Sequence, residues 1–447
     1  MSGRADVWSL CIDFGTAYSK AAAAPVDAHL RFEPAEVRPL AIGAREDGAN
    51  PFLLESAVFV DDDRILFGPA ANARAESLAP RKRAALKSFK TLLSVSDLDR
   101  ALNTAAPATI DPHRMFVMRD LVVFYLAYLL EAIDHAIGEA EQLTGVSWVR
   151  LYAAPAWRSG DSAGLHAVVV RLFGEADALR EVLGEHLRPN KGVSLKAAPG
   201  ALAAARARPR DMDMDLVFEA TAAAAYTSIG LPNAAAHLIV VDVGAGTTDI
   251  AALARQGVAL FEIPEARITL QQAGDFIDRV IANRILEAAP WARSQAHQTA
   301  LWNAVFRNMR DVKENVLLDG KAMLRFEGRT ITISRRDIER DRDFIEFAKV
   351  LAAAYDESLA IVAEEARAAG AVALDAVAVG GGSAAPFVQD LLKRKSAKVS
   401  KLAINARPAT PEWAHARIFR GNLAPVFPQL AIAIGGALAP ESMMAAR

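Results

Sequence analysis

The chain has 447 residues, of which 52% are hydrophobic and 23% charged, so wholesale disorder is excluded and a large core can form. Its 51 basic and 53 acidic residues give a formal net charge of −2, which excludes a general nucleic-acid binder. The single cysteine, Cys11, excludes an intramolecular disulfide and a Cys-rich zinc site. The longest apolar stretch, Leu121 to Leu130, is too short to span a bilayer. Without a visible secretory signal, these features predict a multi-domain cytoplasmic protein with no membrane partner.

The first predicted element is a buried strand from Val7 to Ile12, which leads into the turn Asp13-Phe14-Gly15-Thr16. A very similar segment occurs far downstream, where His237 to Val241 leads into Asp242-Val243-Gly244-Ala245-Gly246-Thr247. In both segments small residues favour a tight turn before a second strand. This repeated strand–turn–strand device predicts two similar lobes that face each other.

Helices and strands alternate over the rest of the chain. Apolar spacing and late glycines predict helices over Asp120 to Ala140, Asp215 to Ser228 and Phe344 to Ala369. Short apolar runs predict strands over Val149 to Ala153 and Ala376 to Val379. This alternation is typical of an α/β fold.

Two stretches have an irregular composition. Arg188 to Asp213 is rich in Pro, Gly, Ala and Arg, which predicts a loop-rich insertion. Lys393 to Lys401 is rich in lysine, but no aromatic residues are interleaved with the charges. A solvated loop is therefore favoured there over a nucleic-acid patch.

The two turns have the chemistry of phosphate binding. Small residues expose backbone N–H groups, and glycine lets a phosphate approach them closely. A carboxylate beside the turn repels phosphate unless Mg²⁺ lies between them, so Asp13 and Asp242 indicate a magnesium nucleotide. A third glycine cluster, Gly380-Gly381-Gly382-Ser383, follows a strand and precedes a helix, whose N-terminus also attracts anions. The chain has no Gly-x-x-x-x-Gly-Lys-Ser/Thr loop, which argues against a P-loop enzyme.

The order of these motifs resembles the actin-fold ATPases, and specifically the nucleotide-binding domain of DnaK-like, 70-kDa heat-shock chaperones. Ile12 to Ser19 is similar to the first phosphate motif, Asp242 to Asp249 to the second, and Val379 to Pro386 to the adenosine motif. Further similar segments are Lys90 to Leu93, Ala153 to Trp157, Glu219 to Ala224, Ala273 to Asp278 and Pro428 to Ala437. The resemblance spans nearly the whole chain.

The resemblance implies an actin-like, ribonuclease H-like fold of two lobes, each with an inner and an outer subdomain. Lobe I would contain residues 1–235 and 425–447, with an outer subdomain near 43–115 and an insertion near 174–215. Lobe II would contain residues 236–424, with an outer subdomain near 272–344.

The resemblance also implies roles for individual residues. Asp13 and Asp242 would orient Mg²⁺ through its waters, and Lys90 and Glu219 would complete the catalytic set by positioning the attacking water. The residues implied to bind ATP or ADP are Gly15, Thr16, Ala17, Tyr18, Gly244, Ala245, Gly246, Thr247, Gly274, Arg310, Lys313, Gly380, Gly381, Gly382 and Ser383. Lys90 lies in a basic segment and Glu219 in an Ala-rich helix, so a solvated charge is the alternative interpretation of each.

The chain departs from the family pattern on the purine side. Ala245 replaces the middle glycine of the second motif, Gly382 and Ala384 replace a serine and an adenine-stacking arginine, and Arg310 replaces a ribose-binding glutamate. The sequence also ends soon after the last matching helix, so the resemblance implies no peptide-binding domain.

We therefore expect a slowly hydrolysing ATP switch whose lobe closure is sensed by a protein partner or a co-chaperone-like regulator. Two alternatives remain open: an actin-like polymerising cytoskeletal protein, and a nucleotide-binding scaffold without turnover. A sugar kinase of the same fold is disfavoured because no clear catalytic Asp base stands out.

Overall fold

The structure is a computed structural model that describes residues 7–28, 32–43, 50–87, 89–93, 95, 97–155, 162–188, 191–229, 234–257, 259–394 and 402–438. Helices and strands are mixed along the described chain, as the sequence predicts for an α/β protein. The chain divides into two compact units. The first comprises Met1–Pro232, Val258–Leu260 and Thr410–Arg447, and the second comprises Asn233–Gly257 and Phe261–Ala409.

The described strands of the first unit are β1 (Val7–Phe14), β2 (Tyr18–Pro25), β3 (Arg38–Pro39), β4 (Leu54–Glu55), β5 (Val58–Val60), β6 (Arg64–Phe67), β7 (Ser147–Ala154), β8 (Val193–Ser194) and β9 (Met214–Phe218). Its described helices are α1 (Gly68–Ser77), α2 (Phe89–Leu93), α3 (Leu98–Leu102), α4 (Met118–Gly138), α5 (Ser162–Leu183), α6 (Ala198–Ala207), α7 (Glu219–Ile229) and, from the end of the chain, α14 (Phe427–Leu438). The main sheet has the order β3-β2-β1-β7-β9, and a smaller sheet has the order β5-β6-β8.

β1 is the central strand of the main sheet, antiparallel to β2 and parallel to β7. Because side chains alternate across a strand, its even-numbered residues from Trp8 to Phe14 enter the large core on the side of α4. Its odd-numbered residues Ser9, Cys11 and Asp13 are buried on the opposite face. Asp13 is thus a carboxylate buried on this second face of the sheet, and a buried charge requires a partner.

Helices α7 and α14 cover this second face of the sheet, and two glycines allow their close approach. A Cβ atom at Gly435 would lie 1.8 Å from the Ala222 carbonyl oxygen on α7. A Cβ atom at Gly436 would lie 2.3 Å from the Cys11 Sγ. Glycine is therefore required at both positions for α14 to pack as it does.

Helix α4 is the one described helix long and apolar enough to cross a membrane, judged by length and composition alone. Most of its residues, including Leu121 to Leu130, are buried in the core of the first unit. A buried core helix passes the same test as a membrane span, so α4 is weak support for a membrane location.

The described strands of the second unit are β10 (His237–Val243), β11 (Thr248–Gln256), β12 (Ala259–Leu270), β13 (Lys321–Phe326), β14 (Arg329–Ser334), β15 (Ala373–Val379) and β16 (Ala403–Ala406). Its described helices are α8 (Gly274–Glu287), α9 (Gln295–Arg307), α10 (Met309–Leu317), α11 (Arg335–Glu339), α12 (Arg342–Ala368) and α13 (Pro386–Leu392). The main sheet has the order β12-β11-β10-β15-β16, and β13 and β14 form a separate hairpin.

The repeat predicted from the sequence is confirmed at the level of strand pairing. β1–β2 and β10–β11 are antiparallel hairpins, and each first strand is parallel to a later one, β7 or β15. Asp13 and Asp242 occupy the same place, the last residue but one of the first strand. Both sheets therefore bring a carboxylate to the carboxyl end of a central strand.

Three predictions about local structure were wrong in part. Asp215 to Phe218 belongs to β9 rather than to a helix, because pairing with β7 overrides its helical pattern. The stretch Arg188 to Asp213 contains β8 and α6, because Ala201, Leu202 and Ala205 bury one face of a helix. Residues 410–424, predicted in lobe II, belong to the first unit. Within that segment the Trp413 ring packs edge-on against Phe427 of α14, with 5.2 Å between ring centroids. The predicted basic loop falls largely at 395–401, outside the described residues.

Candidate functional site

In the first turn, Asp13 forms a buried ion pair with Lys20. The two residues face each other across the β1–β2 hairpin, and the Lys20 Nζ lies 2.5 Å from the Asp13 Oδ2. The Asp13 side chain is 2% exposed and the Lys20 side chain 10% exposed. A buried carboxylate is costly without a partner, and the Lys20 ammonium group is that partner.

The backbone of the first turn folds back tightly over this ion pair. A Cβ atom at Gly15 would lie 2.4 Å from the Tyr18 carbonyl oxygen and 2.9 Å from the Lys20 Nζ. The Ala17 carbonyl oxygen accepts a hydrogen bond from the Ser56 N–H, with 2.9 Å between the heavy atoms. Gly15 therefore packs closely against the Tyr18 carbonyl group and the Lys20 ammonium group, where a side chain would not fit. Thr16 and Tyr18 are partly exposed at the turn and Ala17 is exposed.

Glu219 lies at the same edge of the main sheet as Asp13. In the parallel register Asp13 pairs with Ala153 and Ala153 pairs with Val217, so Glu219 begins α7 two residues beyond that row. Burial raises the pKa of the Cys11 thiol well above its ordinary value, and the negative charges of Asp13 and Glu219 raise it further. Both carboxylates thus lie near the Cys11 sulfur atom, at the same edge of the sheet.

Lys90 belongs to the short helix α2, although its side chain is outside the described residues. The preceding residue anchors this helix: Phe89 is fully buried and stacks on Phe14 and Tyr125, at 5.4 and 4.6 Å between ring centroids. Phe14 directly follows Asp13. The α2 backbone is therefore packed against the same strand that carries the first turn.

At the second turn, Asp242 is 8% exposed. In the backbone register of the β10–β11 hairpin it stands opposite Asp249. The Gly244 N–H donates to the Thr247 carbonyl oxygen at 3.0 Å, which closes the turn. Gly244, Ala245, Gly246 and Thr247 are all partly exposed. The turn therefore combines a buried carboxylate with an accessible backbone, as in the first unit.

The Asp249 carboxylate holds two hydroxyl side chains beside the second turn. It accepts hydrogen bonds from the hydroxyl groups of Thr247 and Thr269, at 2.9 and 2.7 Å. The sequence motifs imply no role for Asp249. Its position two residues after a turn hydroxyl was the available signal, because Thr and Asp side chains often bond locally around turns.

The glycine cluster after β15 packs directly on the second turn. Asp242 pairs in register with Val379, so Gly380 follows beside the carboxylate. A Cβ atom at Gly380 would lie 2.3 Å from the Asp242 Oδ1, and Gly380 has a φ of +82°. The Gly382 N–H donates to the Val243 carbonyl oxygen at 3.0 Å. Gly381 is exposed, while the buried Ser383 Oγ has no hydrogen-bond partner within the described part of the chain.

Gly274, at the start of α8, also contacts the second turn. Its N–H donates to the Gly244 carbonyl oxygen at 3.1 Å, and the Asp275 N–H donates to the Ala245 carbonyl oxygen at 2.8 Å. The Lys313 Nζ on α10 lies 2.7 Å from the Asp278 Oδ1 on α8. Gly274 and Lys313 are thereby placed beside the turn, as expected for residues of one site.

Arg310 is placed differently from Lys313 on the same helix. It forms an exposed ion pair with Glu314 one turn further along α10, with 3.0 Å between the nitrogen and oxygen atoms. The role in nucleotide binding that the resemblance implies for Arg310 stays a prediction.

Lys20 belongs to this candidate site through its ion pair with Asp13, although the sequence motifs do not identify it. The available signal was a single lysine between Ser19 and the alanine run Ala21 to Ala24, within a strand that the turn enters directly. A lone cation in an otherwise small, apolar strand requires a buried counter-charge. No protein-family model matches the chain, and no curated protein matches it.

Proposed function

We propose that this protein is a switch that binds magnesium ATP and hydrolyses it slowly, with an actin-like two-lobed fold and a cytoplasmic location. The observation that supports this proposal is the duplicated hairpin with its buried carboxylate. Asp13 and Asp242 stand at equivalent places in two sheets of the same strand order, each before a turn of small residues. An anion site without magnesium needs only one phosphate-binding turn, so two such turns with carboxylates favour a magnesium nucleotide.

The turns would hold the phosphate groups through backbone N–H donors. The Gly244 N–H is used within the turn, so we assign phosphate binding to the N–H groups of Ala245 and Gly246. In the first unit we assign it to the N–H groups of Thr16 and Ala17. Lys20 adds a positive charge beside Gly15, which would offset the charge of the phosphate oxygens.

Magnesium fits a position reached through water rather than a cage of protein ligands. In the described ranges no group of three His, Cys, Asp or Glu side chains is arranged to hold a metal ion. Mg²⁺ keeps several waters and binds through one or two carboxylates together with phosphate oxygens, and each unit offers one such carboxylate, Asp13 in the first and Asp242 in the second. When bound, it would neutralise charge on the phosphate oxygens. Glycine at 380 lets the backbone pack directly against the Asp242 carboxylate, where a Cβ atom would clash.

Hydrolysis would depend on two groups at the edge of the first sheet. Glu219 is 7% exposed at the start of α7 and can accept a hydrogen bond from a water molecule. We assign to Lys90 the stabilisation of charge that develops on the transferred phosphoryl group. Because this charge is greatest in the transition state, Lys90 should affect turnover more than binding.

The nucleotide state would be sensed by a protein partner, through closure of the fold around the nucleotide. The first candidate for the partner surface is the segment Arg188 to Asp213, whose exposed residues include Arg208 and Arg210. A pull-down in ATP compared with ADP tests this part of the proposal. We expect the protein alone not to bind extended hydrophobic peptides, and anisotropy with a peptide panel tests that expectation.

The decisive experiment combines thermal melting, calorimetry and phosphate release. Mg-ATP or Mg-ADP at about 100 times its dissociation constant should stabilise the protein by roughly 2.7 kcal/mol. A melting curve unmoved by millimolar nucleotide, with no binding heat, would contradict the proposal. Binding without phosphate release would instead identify a nucleotide-binding scaffold, and filaments in negative stain with ATP would identify a polymerising protein.

A further inference from the structure

The ion pair between Lys313 and Asp278 joins two helices of the second unit. Lys313 lies on α10 and Asp278 on α8, and their charged atoms are 2.7 Å apart. The side chains are 28% and 15% exposed, so the pair is shielded from much of the solvent. A lysine side chain is long and flexible, and a partly buried carboxylate restricts where its ammonium group can lie.

The pair lies beside the backbone of the second turn. A single point, the position that a Cβ atom of Gly274 would occupy, is 3.1 Å from the Gly244 carbonyl oxygen and 3.4 Å from the Ala245 Cα. The same point is 3.4 Å from the Lys313 Nζ. The ammonium group therefore lies next to the turn to which we assign phosphate binding. The family resemblance instead implies that Lys313 lines the nucleoside side.

The chemistry of the pair leaves the ammonium available to a ligand. A lysine ammonium has three N–H donors, and Asp278 can take one while others point elsewhere. Burial raises the pKa of the Asp278 carboxyl above its ordinary value, and the Lys313 charge partly offsets this rise. Each side chain is thus the charged partner of the other, and the carboxylate restricts where the Lys313 ammonium group can lie.

We propose that Asp278 is a positioning residue that holds the Lys313 ammonium group at the second turn, where Lys313 binds the phosphates of the ligand rather than its ribose. This inference rests on the proposed binding of a magnesium nucleotide. It assigns Lys313 to the same phosphate-binding half of the site as Ala245 and Gly246.

Ligands that lack one half of the nucleotide test the assignment of Lys313. In calorimetry, Lys313→Met should weaken the binding of Mg-ADP and of Mg-tripolyphosphate by about tenfold or more, since an ammonium–phosphate contact is charge-assisted. Adenosine binding should stay within about twofold because adenosine carries no phosphate. Lys349→Met is the matched control, because Lys349 is a 71% exposed lysine of the same unit, paired with Glu346. Lys313→Gln provides a second variant that keeps a hydrogen-bond donor without the charge.

A double-mutant cycle tests the positioning role of Asp278. Asp278→Asn alone should weaken Mg-tripolyphosphate binding by about threefold to tenfold. In the Lys313→Met background the same substitution should have no further effect on binding, because Asp278 acts only through Lys313. A merely structural role would instead lower the melting temperature and weaken binding in both backgrounds.

The possible results separate this inference from the proposed function. If the parent protein binds no nucleotide, the proposed function fails and this inference fails with it. If the parent binds Mg-ADP but Lys313→Met leaves Mg-tripolyphosphate binding unchanged and weakens adenosine binding, Lys313 serves the ribose and only this inference is overturned. Loss of phosphate binding in Lys313→Met, with an unchanged Lys349→Met control, supports it.

Discussion

Lys20 and Asp13 face each other across the first hairpin, with 2.5 Å between the ammonium nitrogen and a carboxylate oxygen. Both side chains are buried, so neither charge can be solvated if the other is removed. A buried pair of this kind contributes little net stability, but breaking it leaves one uncompensated charge. This ion pair therefore couples the first turn to the stability of the whole unit.

The first prediction concerns this pair. Lys20→Met should destabilise the protein by about 3–5 kcal/mol, since it leaves the Asp13 carboxylate buried and unpaired. Urea denaturation of the parent and the variant measures the difference. The double variant Lys20→Met/Asp13→Asn should recover part of the loss because it removes both charges. A double variant as unstable as Lys20→Met alone would show that the lysine stem matters through packing rather than charge.

The second prediction compares two glycines with similar backbone conformations. Gly380 and Gly370 have φ values of +82° and +73°, but a Cβ at Gly370 meets nothing within 4 Å. Gly370→Ala should therefore cost about 1–2 kcal/mol, the strain of a left-handed residue alone. Gly380→Ala should cost more, because its Cβ would press on the Asp242 carboxylate at 2.3 Å.

Gly380→Ala should also abolish the stabilisation by Mg-nucleotide that Gly370→Ala retains. Thermal melting with and without Mg-ADP measures both effects in one experiment. Equal losses of stability in the two variants, with nucleotide stabilisation intact in both, would show that the close packing of Gly380 on Asp242 has no role in binding.

The turns with Asp13 and Asp242 could be predicted from the sequence because their signal is local. An apolar run followed by an acidic residue and small residues has few other structural solutions. Lys20 could not be recognised in the same way, because its partner is set by hairpin register rather than by spacing along the chain. The pairing of Lys313 with Asp278 depends likewise on the packing of α8 and α10.

The loop predicted from the composition of Arg188 to Asp213 was wrong in part, and the reason is physical. Proline and glycine at 199 and 200 signal a break, but Pro199 lies in the first turn of α6, where it needs no N–H partner. The helix is then stabilised by burial of Ala201 and Leu202 against other parts of the unit. Tertiary packing of this kind has no signature in a single short window.

The third prediction follows from the ion network that fixes α6. Glu175 is 2% exposed and lies 2.5 Å from an Arg119 nitrogen and 3.6 Å from an Arg206 nitrogen, and Arg206 also pairs with Asp120. Arg206→Ala should destabilise the protein by about 1–2 kcal/mol because two carboxylates lose a partner. Arg208 is an exposed neighbour, so the free energy of unfolding of Arg208→Ala should stay within about 0.5 kcal/mol of the parent value.

This network also decides how the partner surface should be tested. Deleting Arg188 to Asp213 would remove Arg206 and the buried face of α6, so lost capture could reflect unfolding. Substitution of exposed residues such as Arg208 is the sharper experiment. If Arg206→Ala and Arg208→Ala have the same midpoint in urea denaturation, the network does not hold the segment in place.

The fourth prediction concerns the base of the nucleotide. In the resembling family an arginine stacks on adenine where this chain has the exposed Ala384, and the lost cation–π contact is worth about 0.5–2 kcal/mol. A Cβ at Gly382 would lie 2.4 Å from a Val243 methyl group, so the family serine does not fit without rearrangement. We therefore expect GTP to compete with ATP within roughly tenfold to a hundredfold.

Competition binding with a fluorescent ATP analogue measures this selectivity. Ala384→Arg should increase the preference for ATP by about threefold to tenfold if the missing contact is the cause. Ala203→Arg, at an exposed position of α6, controls for the added charge. Discrimination of more than about a thousandfold in the parent would show that other groups recognise the purine.

The last prediction separates phosphate binding from catalysis at Lys90. Phe89 anchors α2 on Phe14, the residue after Asp13, which places the Lys90 backbone near the first turn. Charge grows on the phosphoryl oxygens in the transition state, where an ammonium group gains most. Lys90→Ala should therefore leave ADP affinity within a few-fold and slow single-turnover hydrolysis by about a hundredfold, or about 2.7 kcal/mol.

Asp13→Asn and Asp242→Asn should weaken magnesium-dependent binding as well as turnover. Lys87→Ala, which removes an exposed lysine three residues earlier, should change neither quantity. Hydrolysis at the parent rate in Lys90→Ala would show that this lysine is a solvated surface charge.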